Sequence, residues 1–147
     1  MLNIVDRLDW DIYKQDAPYL DIRTALFNLN SDVEVKRKQS LADLEDAIEF
    51  SFEMYNSLVF ELVRVLFEML QLDEFKYKNY AAQILALCGK YTQPQVTDPR
   101  NIKQQNQLRE VICERLKKYS SLGQSDLDVN SRNYLAYLET ICKNTES

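Results

Sequence analysis

SDVEVKRKQSLADLEDAI (residues 31–48) and SDLDVNSRNYLAYLETIC (residues 125–142) align without a gap at an offset of 94 positions. Seven of the eighteen pairs are identical: Ser31/Ser125, Asp32/Asp126, Val35/Val129, Leu41/Leu135, Ala42/Ala136, Leu44/Leu138 and Glu45/Glu139. An echo at a fixed offset means that one supersecondary unit is used more than once. The offset is about twice the length of a two-helix repeat of roughly 40 to 47 residues, so a third, weaker copy is expected between the two.

Both copies read as helix starts followed by one apolar face. Ser31-x-x-Glu34 has the form of a capping box, in which the hydroxyl and the carboxylate satisfy each other's backbone amides. Ser125-x-x-Asp128 repeats it with a shorter acid. Behind the caps, Leu41, Leu44 and Ile48 in one copy and Leu135, Leu138 and Ile141 in the other fall at helical spacing.

Working outward, Leu20, Ala25, Leu26 and Leu29 form a stripe that ends at Asn28 to Asn30. LVFELVRVLFEMLQL (58–72) is apolar almost all round, which suits a helix covered on most sides. Asp73 and Glu74 are expected to open the next helix through YAAQILALC. Gly89 stands where a left-handed residue would end it, and Ala81, Ala82 and Ala86 would allow a close helix contact. Lys90 to Val96 is a loop candidate, and Asp98-Pro99 looks like an N-cap with proline at N1. The helix after it uses Ile102, Leu108, Val111, Ile112, Leu116 and Tyr119, and Leu122-Gly123-Gln124 turns into the second echo copy. The expectation is a single all-α domain over 1–147, built as a short right-handed solenoid of about three helical hairpins at 19–52, 56–89 and 99–143. About three repeats are needed because one cannot bury its own face.

Composition narrows the function. The 147 residues contain two glycines, three prolines, three cysteines and no histidine. Without histidine the commonest general base, the usual zinc site and the Ser/His or Cys/His nucleophile pairs are all missing. No glycine loop could cradle a phosphate, and no carboxylate pair is marked as catalytic by its spacing. The chain reads as no enzyme, with neither metal nor cofactor. Cys88, Cys113 and Cys142 lie in helical apolar patterns and are expected as buried free thiols. With no apolar span and no secretory leader visible, a cytoplasmic location is expected.

The net charge of -5 is unevenly spread. Residues 1–53 hold 12 Asp/Glu against 6 Lys/Arg, whereas residues 76–118 hold 9 basic and 3 acidic side chains. A general nucleic-acid binder is not indicated.

The first half, over roughly residues 8–90, resembles small bacterial HEAT-like proteins that serve polymorphic-toxin systems, of the contact-dependent-inhibition type, as immunity proteins. The likeness rests on Trp10 with Tyr13, then ALFNLNSDVEVKRKQSLADLEDAI, then Tyr55 seven residues after Ile48, then LVFELVRVL. SDVEVKRKQSL and SDLDVNSR also look like the general HEAT pattern of an aspartate turn before a valine and a basic residue. The resemblance implies a protein-binding module that occludes a cognate toxin, which could be a nuclease. An adaptor or assembly scaffold without a toxin is the alternative. DNA-glycosylase relatives also look like HEAT stacks, but Trp10, the one tryptophan, lies here in an acidic segment.

Three features are candidates for the partner site. At 100° per residue Asp43, Asp46, Glu49 and Glu53 cluster opposite Leu41, Leu44 and Ile48, with no lysine at i+4 to neutralise them. Such a stripe suits a cationic partner, or else is a solvated face. Phe50 joins it if the helix persists; otherwise the helix ends near Glu49 and Phe50 or Phe52 turns into the core, which the pattern favours. Tyr134 and Tyr137 stand where the first copy has Ser40 and Asp43, as interface rings or as core with the hydroxyl at the rim. A basic stretch at Lys76, Lys78, Lys90, Arg100, Lys103 and Arg109 is the runner-up surface.

Overall fold

The largely apolar run from Leu58 is the hub about which the other helices are arranged. The computed structural model describes residues 2–13, 21–54, 57–93, 102–120 and 127–146. Its helices are α1 (Leu2–Asp6), α2 (Ile22–Asn28), α3 (Glu34–Met54), α4 (Leu58–Leu70), α5 (Lys78–Lys90), α6 (Ile102–Ser120) and α7 (Val129–Glu146), with a 3-10 turn at Trp10–Tyr13. Among the described residues there is no strand, so the fold is all-α.

Nine of the thirteen residues of α4 are buried, because α1, α3, α5 and α6 all pack on it. Burying each such side chain is worth about 1.5–3 kcal/mol, and the polar residues of the helix, Glu61, Arg64 and Glu68, are confined to one narrow strip at i, i+3 and i+7. Successive helices also pair, α2 with α3, α4 with α5 and α6 with α7. Between pairs, α5 touches both α3 and α7, and α4 touches α6. One layer is therefore α3, α5, α7, and a second contains α4 and α6 with α1 added against α2 and α4.

The N-terminal segment is tied down by polar contacts. Trp10 Nε1 donates to the Val5 carbonyl at 2.7 Å, and the Tyr13 hydroxyl meets Ser57 Oγ at 2.9 Å. Arg7 pairs with Glu68 at 2.6 Å and Arg23 with Asp6 at 2.5 Å. The hairpin boundaries expected from 19 onward leave this segment out.

Several local expectations are corrected. The capping box at Ser31 does not form: its hydroxyl accepts from the Val33 amide at 3.1 Å, and Glu34 turns to Lys38 at 3.1 Å. Asp32 is diverted to the Tyr77 hydroxyl at 3.0 Å. The helix after α4 starts at Lys78, not at Asp73, because Phe75 leaves the irregular stretch to enter the core. Gly89 lies inside α5 and faces Leu138 and Ile141 of α7. The small residues Ala82 and Ala86, seven and three positions earlier, share that face. Carbonyls at the end of α5 are instead satisfied from α6: Gln105 Nε2 donates to the Tyr91 carbonyl at 2.9 Å, and Arg109 donates to that of Thr92.

The cysteines also differ from expectation. Cys113 of α6 and Cys142 of α7 form a disulfide, their Cα atoms 5.6 Å apart. Only Cys88 is free, and burial pushes its thiol up to about 12, which keeps it protonated and inert. Tyr55, Asp98-Pro99, Leu122-Gly123-Gln124 and Ser125 lie outside the described residues. No helix among the described residues is long and apolar enough to cross a membrane.

Candidate partner-binding surface

Helix α3 runs to Met54, so the early end near Glu49 does not occur. Leu44, Ala47, Ile48, Ser51 and Phe52 are buried along one side. Asp46, Glu49 and Glu53 are exposed on the other, and Phe50 stands out among them at 42% exposure. Of the two aromatics it is Phe52 that enters the core, where its ring stacks on Tyr91 with centroids 4.8 Å apart.

The acidic residues do not all face the same neighbour. Glu45 hydrogen-bonds Gln83 of α5, and burial pushes its carboxyl above the ordinary glutamate range. Glu49 and Glu53 lie near Tyr91, whose phenol is raised first by burial and then by these carboxylates. Asp43 is half-buried and accepts from Gln39 Nε2 at 2.9 Å. On the helix, Asp43 and Phe50 lie roughly 150° around from Glu45, on the edge away from α5. The stripe thus splits into a part beside α5, at Glu45, Glu49 and Glu53, and an outer edge at Asp43 and Phe50, with Asp46 between.

Across the layer, Tyr137 of α7 is 39% exposed and Tyr134 is half-buried. The Tyr137 ring comes within 3.8 Å of where a Cβ on Gly89 would stand, so it borders the α5 contact. With α5 between α3 and α7, the tyrosines and the carboxylates lie about 16–20 Å apart at ordinary helix spacing. One partner would have to span the layer to touch both. That reach suits a protein surface better than a small ligand.

Tyr91 and Gln83, which occupy the strip between, were not among the expected site residues. The signal was weak because Tyr91 follows Gly89, and reading that glycine as a helix end placed the tyrosine in a loop.

The basic stretch does not converge into one patch. Lys76 is paired with Asp32 at 3.5 Å, Arg109 is used on the end of α5, and Arg100 lies outside the described residues. Lys90 and Lys103 are exposed, and Lys78 is half-buried. No group of three or more Cys, Asp or Glu able to hold a metal ion occurs among the described residues.

No protein-family model, curated protein or solved structure matches this chain.

Proposed function

We propose that the chain is a non-catalytic, stoichiometric protein binder, a short right-handed HEAT-like solenoid of three hairpins that serves as the cytoplasmic immunity protein of a bacterial toxin. The observation that carries this reading is on α3. Asp46, Glu49 and Glu53 stay exposed beside Phe50 and have no cationic partner among the described residues. Like charges at i, i+3 and i+4 repel by about 0.2–0.5 kcal/mol per pair, a cost that a basic partner would relieve. Such a field speeds encounter, and an aromatic within it supplies a contact that excludes water. Inhibition would be occlusion of a basic surface on the toxin. On a nuclease, the carboxylates would stand where phosphates otherwise bind.

The test is capture of the tagged chain with its cognate partner, followed by co-expression. The expected result is one basic, growth-arresting protein held near one to one and neutralised by this chain. Its association should slow about tenfold when Asp46, Glu49 and Glu53 are all changed to lysine, and slow likewise as salt is raised. Capture of several abundant assembly components, or a salt-independent association rate, would overturn the toxin or the electrostatic part respectively.

A further inference from the structure

Away from the α3–α5–α7 layer, α1, α4 and α6 enclose an open cleft of about 200 Å³. Its polar wall is Arg7, Glu61, Arg64, Glu68 and Arg115. Two of the three guanidinium groups are engaged, Arg7 Nη2 with Glu68 Oε2 at 2.6 Å and Arg64 Nη1 with Glu61 Oε1 at 2.8 Å. Arg115, half-buried on α6, has no hydrogen bond or ion pair with any described residue. The floor is apolar, made by Ile4, Leu8 and Val65.

We infer that this cleft binds a carboxylate carried on a short apolar stem, with Arg115 supplying the two parallel donors. Three arginines against two glutamates leave one uncompensated positive charge in the wall. A single carboxylate balances it, whereas a phosphate dianion would leave one negative charge in excess beside Glu61 and Glu68. A guanidinium presents a planar fork that matches a carboxylate, and a half-buried one without a counter-ion gains most from receiving it. The apolar floor gives the stem a place to leave water. A second cleft of about 290 Å³, lined by Phe60, Arg64, Gln107, Glu110 and Val111, adjoins it at Arg64. The carboxylate could therefore belong to a free organic acid or to the C-terminus of a peptide. This site is independent of the toxin-binding reading, since none of its lining residues comes from α3 or α7.

The experiment follows the arginine Nε–Hε resonances of the ¹⁵N-labelled full chain during titration. The probes are isovalerate, acetate, inorganic phosphate, a short peptide ending in valine, and the amide of that peptide. A saturable shift at Arg115 with isovalerate, weaker with acetate and with phosphate, is expected. Arg115→Gln should weaken binding about tenfold or more, and Arg115→Lys should keep a reduced part of it. Because Arg115 makes no hydrogen bond or ion pair with a described residue, both variants should melt as the parent does. If the peptide acid binds more tightly than isovalerate and its amide does not bind, the source is a protein terminus; the reverse order assigns a small acid. Shifts that never saturate, equal shifts with acetate or phosphate, or unchanged binding in Arg115→Gln would each overturn the site.

Discussion

A Cβ placed on Gly89 would stand 2.5 Å from Leu138 Cδ2 and 3.0 Å from Ile141 Cδ1. Leu138 is fully buried, so its side chain has little room to swing aside. Gly89→Ala should gain about 1 kcal/mol of helix propensity and lose about 1–3 kcal/mol to overpacking, giving net destabilisation in a urea melt. The double variant with Leu138→Ala should cost less than the sum of the two singles, because the smaller side chain removes the clash. At Glu45 the sign is opposite. Burial holds its carboxyl above the ordinary value of 4.5, so ionising it opposes folding as pH rises through and beyond that value. Glu45→Gln keeps a partner for Gln83 and should raise stability at neutral pH by about 0.5 kcal/mol or less, since the group is partly solvated. That gain should vanish below pH 4.5. Asp32 works the other way: the Tyr77 hydroxyl, then Lys76, hold its carboxyl low, and its contribution is lost as pH falls through that lowered range.

Among the elements, α6 and α7 are joined both by packing and by the Cys113–Cys142 bridge across 29 residues. Closing a loop of that length in the unfolded chain is worth about 3–4 kcal/mol in the chain-entropy account. Reduction, or Cys113→Ser with Cys142→Ser, should therefore lower the melting temperature clearly while leaving the helical circular dichroism at room temperature in place. An unchanged melt would mean that the bridge contributes nothing to the folded protein. This pairing could not be read from the sequence. Each cysteine satisfies a local apolar pattern, and which two meet is decided by how α6 and α7 pack. The same distinction runs through the other helices. Leu44, Ile48, Leu108, Ile112, Leu116, Leu135, Leu138 and Ile141 are buried where periodicity put them, because a helical face is a local property. Val35 and Val129, identical in the two echo copies, are instead 76% and 62% exposed, since each lies nine positions before a core leucine, Leu44 or Leu138, and so about 180° around the helix from it. For the site, the exposure of Asp46, Glu49 and Glu53 was legible in the same local way. Their division about α5, and the place of Tyr91 among them, depended on a neighbouring helix and was not.

For the molecule as a whole, acidic residues dominate 1–53 and basic ones 76–118. Two of those basic side chains are engaged within the molecule, Lys76 on Asp32 and Arg109 on the end of α5. What remains exposed on α3 is less compensated than the net charge of -5 suggests. The two ends of the layer therefore offer different chemistry, carboxylates with one phenylalanine on α3 and tyrosines on α7.

Asn30 shows how the parts are held in register. Its Nδ2 donates to the Glu74 carbonyl at 3.0 Å, and its Oδ1 accepts from the Lys76 amide at 2.9 Å. One side-chain amide thus plays the part of a strand neighbour for the connection between α4 and α5. Nearby, Arg37 lies over the Tyr77 ring at 3.9 Å and donates to the Ser31 carbonyl at 2.7 Å. Asn30→Ala should cost about 1–3 kcal/mol and accelerate amide hydrogen exchange at Lys76 before it does so in α4. The wider consequence concerns cooperativity. A turn whose shape is supplied from 44 residues away exists only when the neighbouring hairpin is already docked. The chain can therefore do with two glycines, and its hairpins should melt together in one transition instead of peeling away in sequence.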